Sequence, residues 1–62
     1  MYYTPDNYTE LKVGMVITDV HFGITWKVIE VTEDVVVIQN QPPKGAKIYL
    51  KKDSSKMIFH KE

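Results

Sequence analysis

Over most of its length this chain orders its apolar and polar residues with the period of a β-strand rather than that of a helix. Val, Ile and Thr, whose branched Cβ suits a pleated backbone, crowd the region from Gly14 to Thr32. Turn residues cut that region, and the rest of the chain after it, at short intervals. The first predicted strand runs Val13–Val20 and ends at His21-Phe22-Gly23. The second runs Ile24–Val31 and ends at Thr32-Glu33-Asp34, and the third is Val35–Asn40. Gln41-Pro42-Pro43-Lys44-Gly45 reads as a turn, because proline cannot donate to a ladder and Gly45 can take a positive φ. A fourth strand, Ala46–Lys51, and a fifth, Lys56–His60, flank the turn Lys52-Asp53-Ser54-Ser55. Ahead of them all, Thr4-Pro5-Asp6 has the form of a helix cap and first turn. Too few apolar residues follow at helical spacing for more than one or two turns, of α or 3₁₀ type.

The side on which each residue falls predicts how the strands are buried. In the fourth, Ile48 and Leu50 face one way while Lys47, Tyr49 and Lys51 face the other, the mark of a half-buried strand. Val35-Val36-Val37-Ile38 is apolar on both faces, which places it centrally or under cover on its outer side. In the second strand Ile24, Trp26 and Val28 share a face, but Ile29 and Val31 take the opposite one. A strand changes phase in this way where it bends or bulges and passes from one sheet to the next, so a bend or a bulge is expected at Val28-Ile29.

Three stretches together resemble the SH3-like small barrels, in particular their KOW and Tudor-type members: Leu11-Lys12-Val13-Gly14-Met15-Val16-Ile17, Trp26-Lys27-Val28-Ile29-Glu30-Val31, and Val35-Val36-Val37-Ile38. The likeness is one of pattern and spans roughly residues 11–60. It implies an all-β chain with a single small five-stranded SH3-like barrel over residues 11–62, preceded by an N-terminal segment, 1–10, with a short turn of helix. Such barrels serve RNA binders, DNA binders, methyl-lysine readers and peptide binders, so the resemblance leaves the partner open.

At 62 residues the chain is one domain with a thin core, since a chain of this size buries only ~60% of its unfolded surface. It has no cysteine, so neither disulfides nor thiolate metal clusters supplement that core. The residues Met1 to Asp6 carry neither a basic start nor an apolar run, and no stretch has the ~18 apolar residues of a membrane helix. The expectation is a soluble cytoplasmic protein, in which Asn7-Tyr8-Thr9 matches the glycosylation pattern by chance. Net charge is zero but unevenly spread. Residues 1–34 hold two lysines against six acids, and residues 35–62 hold six lysines against two. Every basic residue is lysine. Arginine is the usual reader of phosphate and guanine, and its absence weighs against a nucleic-acid partner. Lysine without arginine, beside six Ile and four Tyr, also suits an AT-rich bacterial or phage gene.

Catalytic chemistry finds little support. His21 and His60 are the only histidines, 39 positions apart, and read as exposed turn and strand-end residues rather than metal ligands. Ser54 and Ser55 have no recognisable base, and Gly14, Gly23 and Gly45 stand too far apart to cradle a phosphate. No cofactor or metal is expected. Two binding surfaces remain. Aromatics at one end of a barrel suit a protein partner, with Tyr2, Tyr3, Phe22 and Tyr49 as candidate contacts. Trp26 reads as core, with a place in an aromatic groove or cage as the alternative, and the N-terminal tyrosines either staple the tail over the barrel or lie in an interface. Lys44, Lys47, Lys51, Lys52 and Lys56 form a lysine stripe around Tyr49 that could hold a phosphate backbone. The leading expectation is a non-enzymatic module that binds a larger protein or itself. Nucleic acid is the alternative.

Overall fold

The structure is a computed structural model that describes residues 1–41 and 45–61. Its strands are β1 (Tyr2–Tyr3), β2 (Val16–Asp19), β3 (Thr25–Val31), β4 (Val35–Asn40), β5 (Lys47–Lys51) and β6 (Phe59–Lys61), with a 3₁₀ segment at Pro5–Glu10. They form one antiparallel sheet in the order β1-β6-β2-β3-β4-β5. Strands β2 to β5 follow one another as hairpins, and β6 returns to pair with β2. The chain is all-β, but with six strands rather than five, and the sheet does not close into a barrel: β1 and β5 are its two edges. The extra strand arises because Tyr2 and Tyr3 pair with His60 and Phe59, and in doing so set Tyr2 outward and Tyr3 inward.

Local chemistry shifts the predicted boundaries. The first strand begins at Val16, not Val13, because Gly14 takes φ +96° and the Met15 N–H closes a turn onto Lys12 O. The last begins at Phe59, not Lys56. Ile58 O there accepts from Val20 N–H, and Met57 O accepts from the Tyr8 hydroxyl. The turn predicted at Gln41-Pro42-Pro43-Lys44-Gly45 falls largely on residues outside those described.

The bulge lies where the change of phase predicts it. Val28 pairs with Ile38 and Glu30 with Val37, so Ile29 is one residue too many for the β3–β4 ladder. Before the bulge Trp26 and Val28 face the core; beyond it Glu30 is exposed and Val31 packs against the core. Tyr3, Leu11, Ile17, Val36, Ile38, Leu50 and Phe59 join Trp26 and Val28 in one cluster, so residues from all six strands share one core. On the opposite side Val37, flanked by Glu30 and Tyr49 in its cross-strand pairs, is still only 3% exposed. The β4 strand is thus covered on both faces.

The N-terminal segment closes the core from outside the sheet. Thr4 caps the 3₁₀ segment: its Oγ accepts from Asp6 N–H at 3.3 Å, and its own N–H donates to Asn7 Oδ1 at 2.7 Å. That places Tyr8 fully inside, its ring tilted against Phe59 with centroids 6.3 Å apart. The Tyr8 hydroxyl donates to Met57 O and contacts Ser55 Oγ at 2.9 Å. Burial raises the Tyr8 phenol above its ordinary value, and the Asp19 carboxylate adds to this while the Ser55 hydrogen bond works against it. The folded chain therefore holds this proton more tightly than the unfolded chain does. The resulting stability is full below pH ~10 and is lost as pH rises from there through the folded-state value. Tyr8→Phe is expected to lower stability by about 1–2 kcal/mol at pH 8, through loss of the hydroxyl bonds. In urea unfolding at pH 8 and near pH 11, the gap between wild type and variant should shrink at the higher pH.

Candidate interaction surface

The turn between β2 and β3 is built around one carboxylate. Asp19 ends β2 on its core side, pairs with Phe59, and is only 2% exposed. Its Oδ1 accepts from the N–H groups of His21 and Phe22 at 2.7 and 2.8 Å. This is an aspartate satisfying the backbone just ahead of it, a geometry that fixes tight turns. The Asp19 main chain does the rest: its N–H donates to Ile24 O at 2.8 Å and its C=O accepts from Gly23 N–H at 2.9 Å. Gly23 takes φ +71°, a conformation in which a side chain would be strained. Val20 N–H is held by Ile58 O at 3.1 Å, which ties the turn to the segment entering β6.

This scaffold presents apolar groups to solvent. Phe22 is 79% exposed, more than any other large apolar residue described, and Val20 and Ile24 on either side are exposed too. The Phe22 ring tilts against His21 with centroids 6.4 Å apart. An exposed aromatic on a backbone held by five hydrogen bonds loses little further entropy on binding, and such anchors dominate interface energetics.

The remaining candidates fall elsewhere. Tyr3 is 4% exposed and lies in the core, so it is not available as a surface contact: the register of β1 turns it inward. Tyr2 is exposed on the outer side, tilted against His60 at 5.4 Å. Tyr49 is 63% exposed on β5, in an open groove lined with Thr32, Asp34, Val35, Lys51, Lys52 and Asp53. Tyr2, Phe22 and Tyr49 make no ring contact with one another. Trp26 is buried in the core, where its indole Nε1 has no hydrogen-bond partner among the described residues.

Lys47, Tyr49 and Lys51 share the exposed face of β5, opposite Gln39, Val37 and Val35. Lys52 turns aside to donate to Glu33 O at 3.0 Å, and Lys56 stands exposed in the connection to β6. Lys44 lies outside the described residues. Ser55 serves the Tyr8 hydroxyl and Met57 N–H, and Ser54 N–H donates to Lys51 O. Among the described residues no three His, Asp or Glu side chains converge to hold a metal ion, and no helix is long and apolar enough to cross a membrane.

Two residues of consequence carry no obvious flag in the sequence. Asp19 looks like one acid among the six of the N-terminal half, although aspartate is itself a frequent turn residue, able to bond the backbone just ahead of it. Tyr8 is one of three N-terminal tyrosines without periodicity, and only packing separates it from Tyr2. Comparison of the chain with protein-family models, curated proteins and solved structures finds no match.

Asp19→Ala removes the acceptor for two turn amides and should cost about 2 kcal/mol. Asp19→Asn keeps an acceptor oxygen and should recover most of that loss. Amide hydrogen exchange at His21 and Phe22 should quicken in the alanine variant and stay slow in the asparagine variant.

Proposed function

We propose that this chain is a non-enzymatic, SH3-like interaction module that binds another protein, with Phe22 as its principal contact. The observation that carries the reading is the pairing of a nearly naked Phe22 ring with a turn locked by a buried aspartate. A solvent-exposed aromatic brings no folding stability that would explain its presence, whereas a rigid apolar tip suits the centre of a protein interface. Val20 and Ile24 widen the apolar contact, and His21 supplies a polar neighbour. The order of the five strands β2 to β6, with the last returning beside the first around one core, favours an SH3-like strand arrangement, held here as an open sheet.

Phe22→Ala tests this directly, because the exposed ring makes the substitution nearly neutral for folding, within ~0.5 kcal/mol. Affinity capture from the source cells with wild type and variant should give proteins retained by the first and lost with the second. The loss expected is about 2 kcal/mol or more of binding free energy. Identical captured sets would overturn the reading.

Nucleic acid is the second reading, favoured by the shared exposure of Lys47, Tyr49 and Lys51. The stripe is shorter than its sequence suggests, since Lys52 is engaged with Glu33 O, and Asp34 and Asp53 line the same groove as Lys51. Titration of labelled single- and double-stranded oligonucleotides at about 50 and 200 mM salt discriminates. The expected outcome is no binding at micromolar concentrations at either salt. Tight binding that weakens steeply with salt would favour the second reading over the first.

A further inference from the structure

We propose that the free edge of β5 takes an extended acidic peptide as a seventh, antiparallel strand. This site is separate from the Phe22 turn and does not depend on it.

Among the described residues the backbone of β5 is used on one side only. Asn40 N–H donates to Ala46 O at 3.1 Å, which makes that pair a hydrogen-bonded one. Such pairs alternate along an antiparallel ladder, so Ile38/Ile48 and Val36/Leu50 are the next. The N–H and C=O groups of Ile48 and Leu50 therefore point at β4. Those of Lys47 and Tyr49, and the Lys51 N–H, point the other way. The Lys51 C=O is already taken by Ser54 and Ser55 N–H at 3.1 and 2.8 Å. Among the described residues β5 ends the sheet, with β4 as its one paired neighbour. The opposite edge, β1, is only two residues long, whereas β5 offers five. A row of unpaired donors and acceptors on an edge strand is a template for strand addition.

Charge selects the occupant. Lys47 and Lys51 flank Tyr49 on the exposed face, and no ion pair engages either among the described residues. A second copy pairing in full register about Tyr49 would set Lys47 against a second copy's Lys51 twice, and like charges directly opposite are destabilising. An incoming strand with acids opposite Lys47 and Lys51 turns both pairings favourable. Residues opposite Ile48 and Leu50 lie on the core side and favour apolar side chains. The motif is acid, apolar, any, apolar, acid. Asp34 and Asp53, in the groove beside Lys51, repel a longer acidic run and hold the register. The same carboxylates disfavour a polyphosphate chain, which also lacks the donors that the outward carbonyls need.

The probe is a fluorescent peptide, acetyl-Thr-Glu-Val-Tyr-Val-Glu-Thr-amide, titrated by anisotropy with the full chain. Binding should slow amide exchange at Lys47, Tyr49 and Lys51. N-methylation of the two Glu and the Tyr amides, which would face β5, should weaken binding at least about tenfold. N-methylation of the two Val amides, which face away, should change it less than about threefold. Replacing both Glu by Lys should abolish binding, and the Lys47→Glu/Lys51→Glu variant should recover it with that lysine peptide. Phe22→Ala should leave the affinity unchanged. The proposal is overturned by equal binding of the two N-methylated peptides, by equal binding of the lysine peptide to wild type, or by no binding at millimolar peptide. A dimer that protects the same amides without peptide would overturn it too, as would an oligonucleotide that binds the same face more tightly.

Discussion

Ile29 has no partner across the β3–β4 ladder, and much of the molecule depends on that extra residue. With strict alternation Trp26, Val28 and Glu30 would share the core face, and Val31 would point to water. The bulge resets the count after Val28, so that Glu30 is exposed and Val31 meets the core. Bulges also sharpen strand twist and bend. A single six-stranded sheet can then bring residues from both of its edges, Tyr3 and Leu50, into one cluster. The Cα radius of gyration, 10.2 Å, is close to the ~10.5 Å expected of a compact domain of this length.

Because the sheet stays open, something other than strand pairing has to complete the cover of a thin core. The N-terminal segment does so with Tyr8 and Leu11, both essentially inaccessible to solvent. Thr4 and Asn7 hold the 3₁₀ segment through reciprocal capping bonds, and the Tyr8 hydroxyl finds Met57 O and Ser55 across the core. A buried phenol is tolerable because its polar end is satisfied. Trp26 shows the opposite case, with its indole N–H left unpartnered among the described residues. The Trp26 ring contributes apolar surface to the core cluster.

The Phe22 turn and the β5 edge differ in kind. The turn is rigid and apolar, organised from within by Asp19. The β5 edge is polar, with Lys47 and Lys51 on its exposed face beside the outward backbone groups. They lie on different elements of the sheet, so one chain can present both at once.

Several features were legible in the sequence alone. The all-β class, the positions of β3, β4 and β5, the capped turn at Thr4 and the bulge at Val28-Ile29 are all local, written in alternation and in turn residues. The exposed face of Lys47, Tyr49 and Lys51 followed from the period of two. What the sequence could not decide was anything set by long-range pairing. Strand β1 exists only because Tyr2 and Tyr3 meet β6, more than fifty residues away in the chain. That pairing sends Tyr3 inward and Tyr2 outward, a distinction that two adjacent tyrosines do not carry themselves. Tyr8 and Asp19 gained their roles in the same way, from partners supplied by the segment leading into β6 and by the fold of the turn. That the sheet stays open was likewise decided in three dimensions, by the pairing of β6 between β1 and β2 and by β5 having, among the described residues, no strand beside it other than β4. Alternation specifies which side of a strand is buried; it does not specify which strand lies beside it.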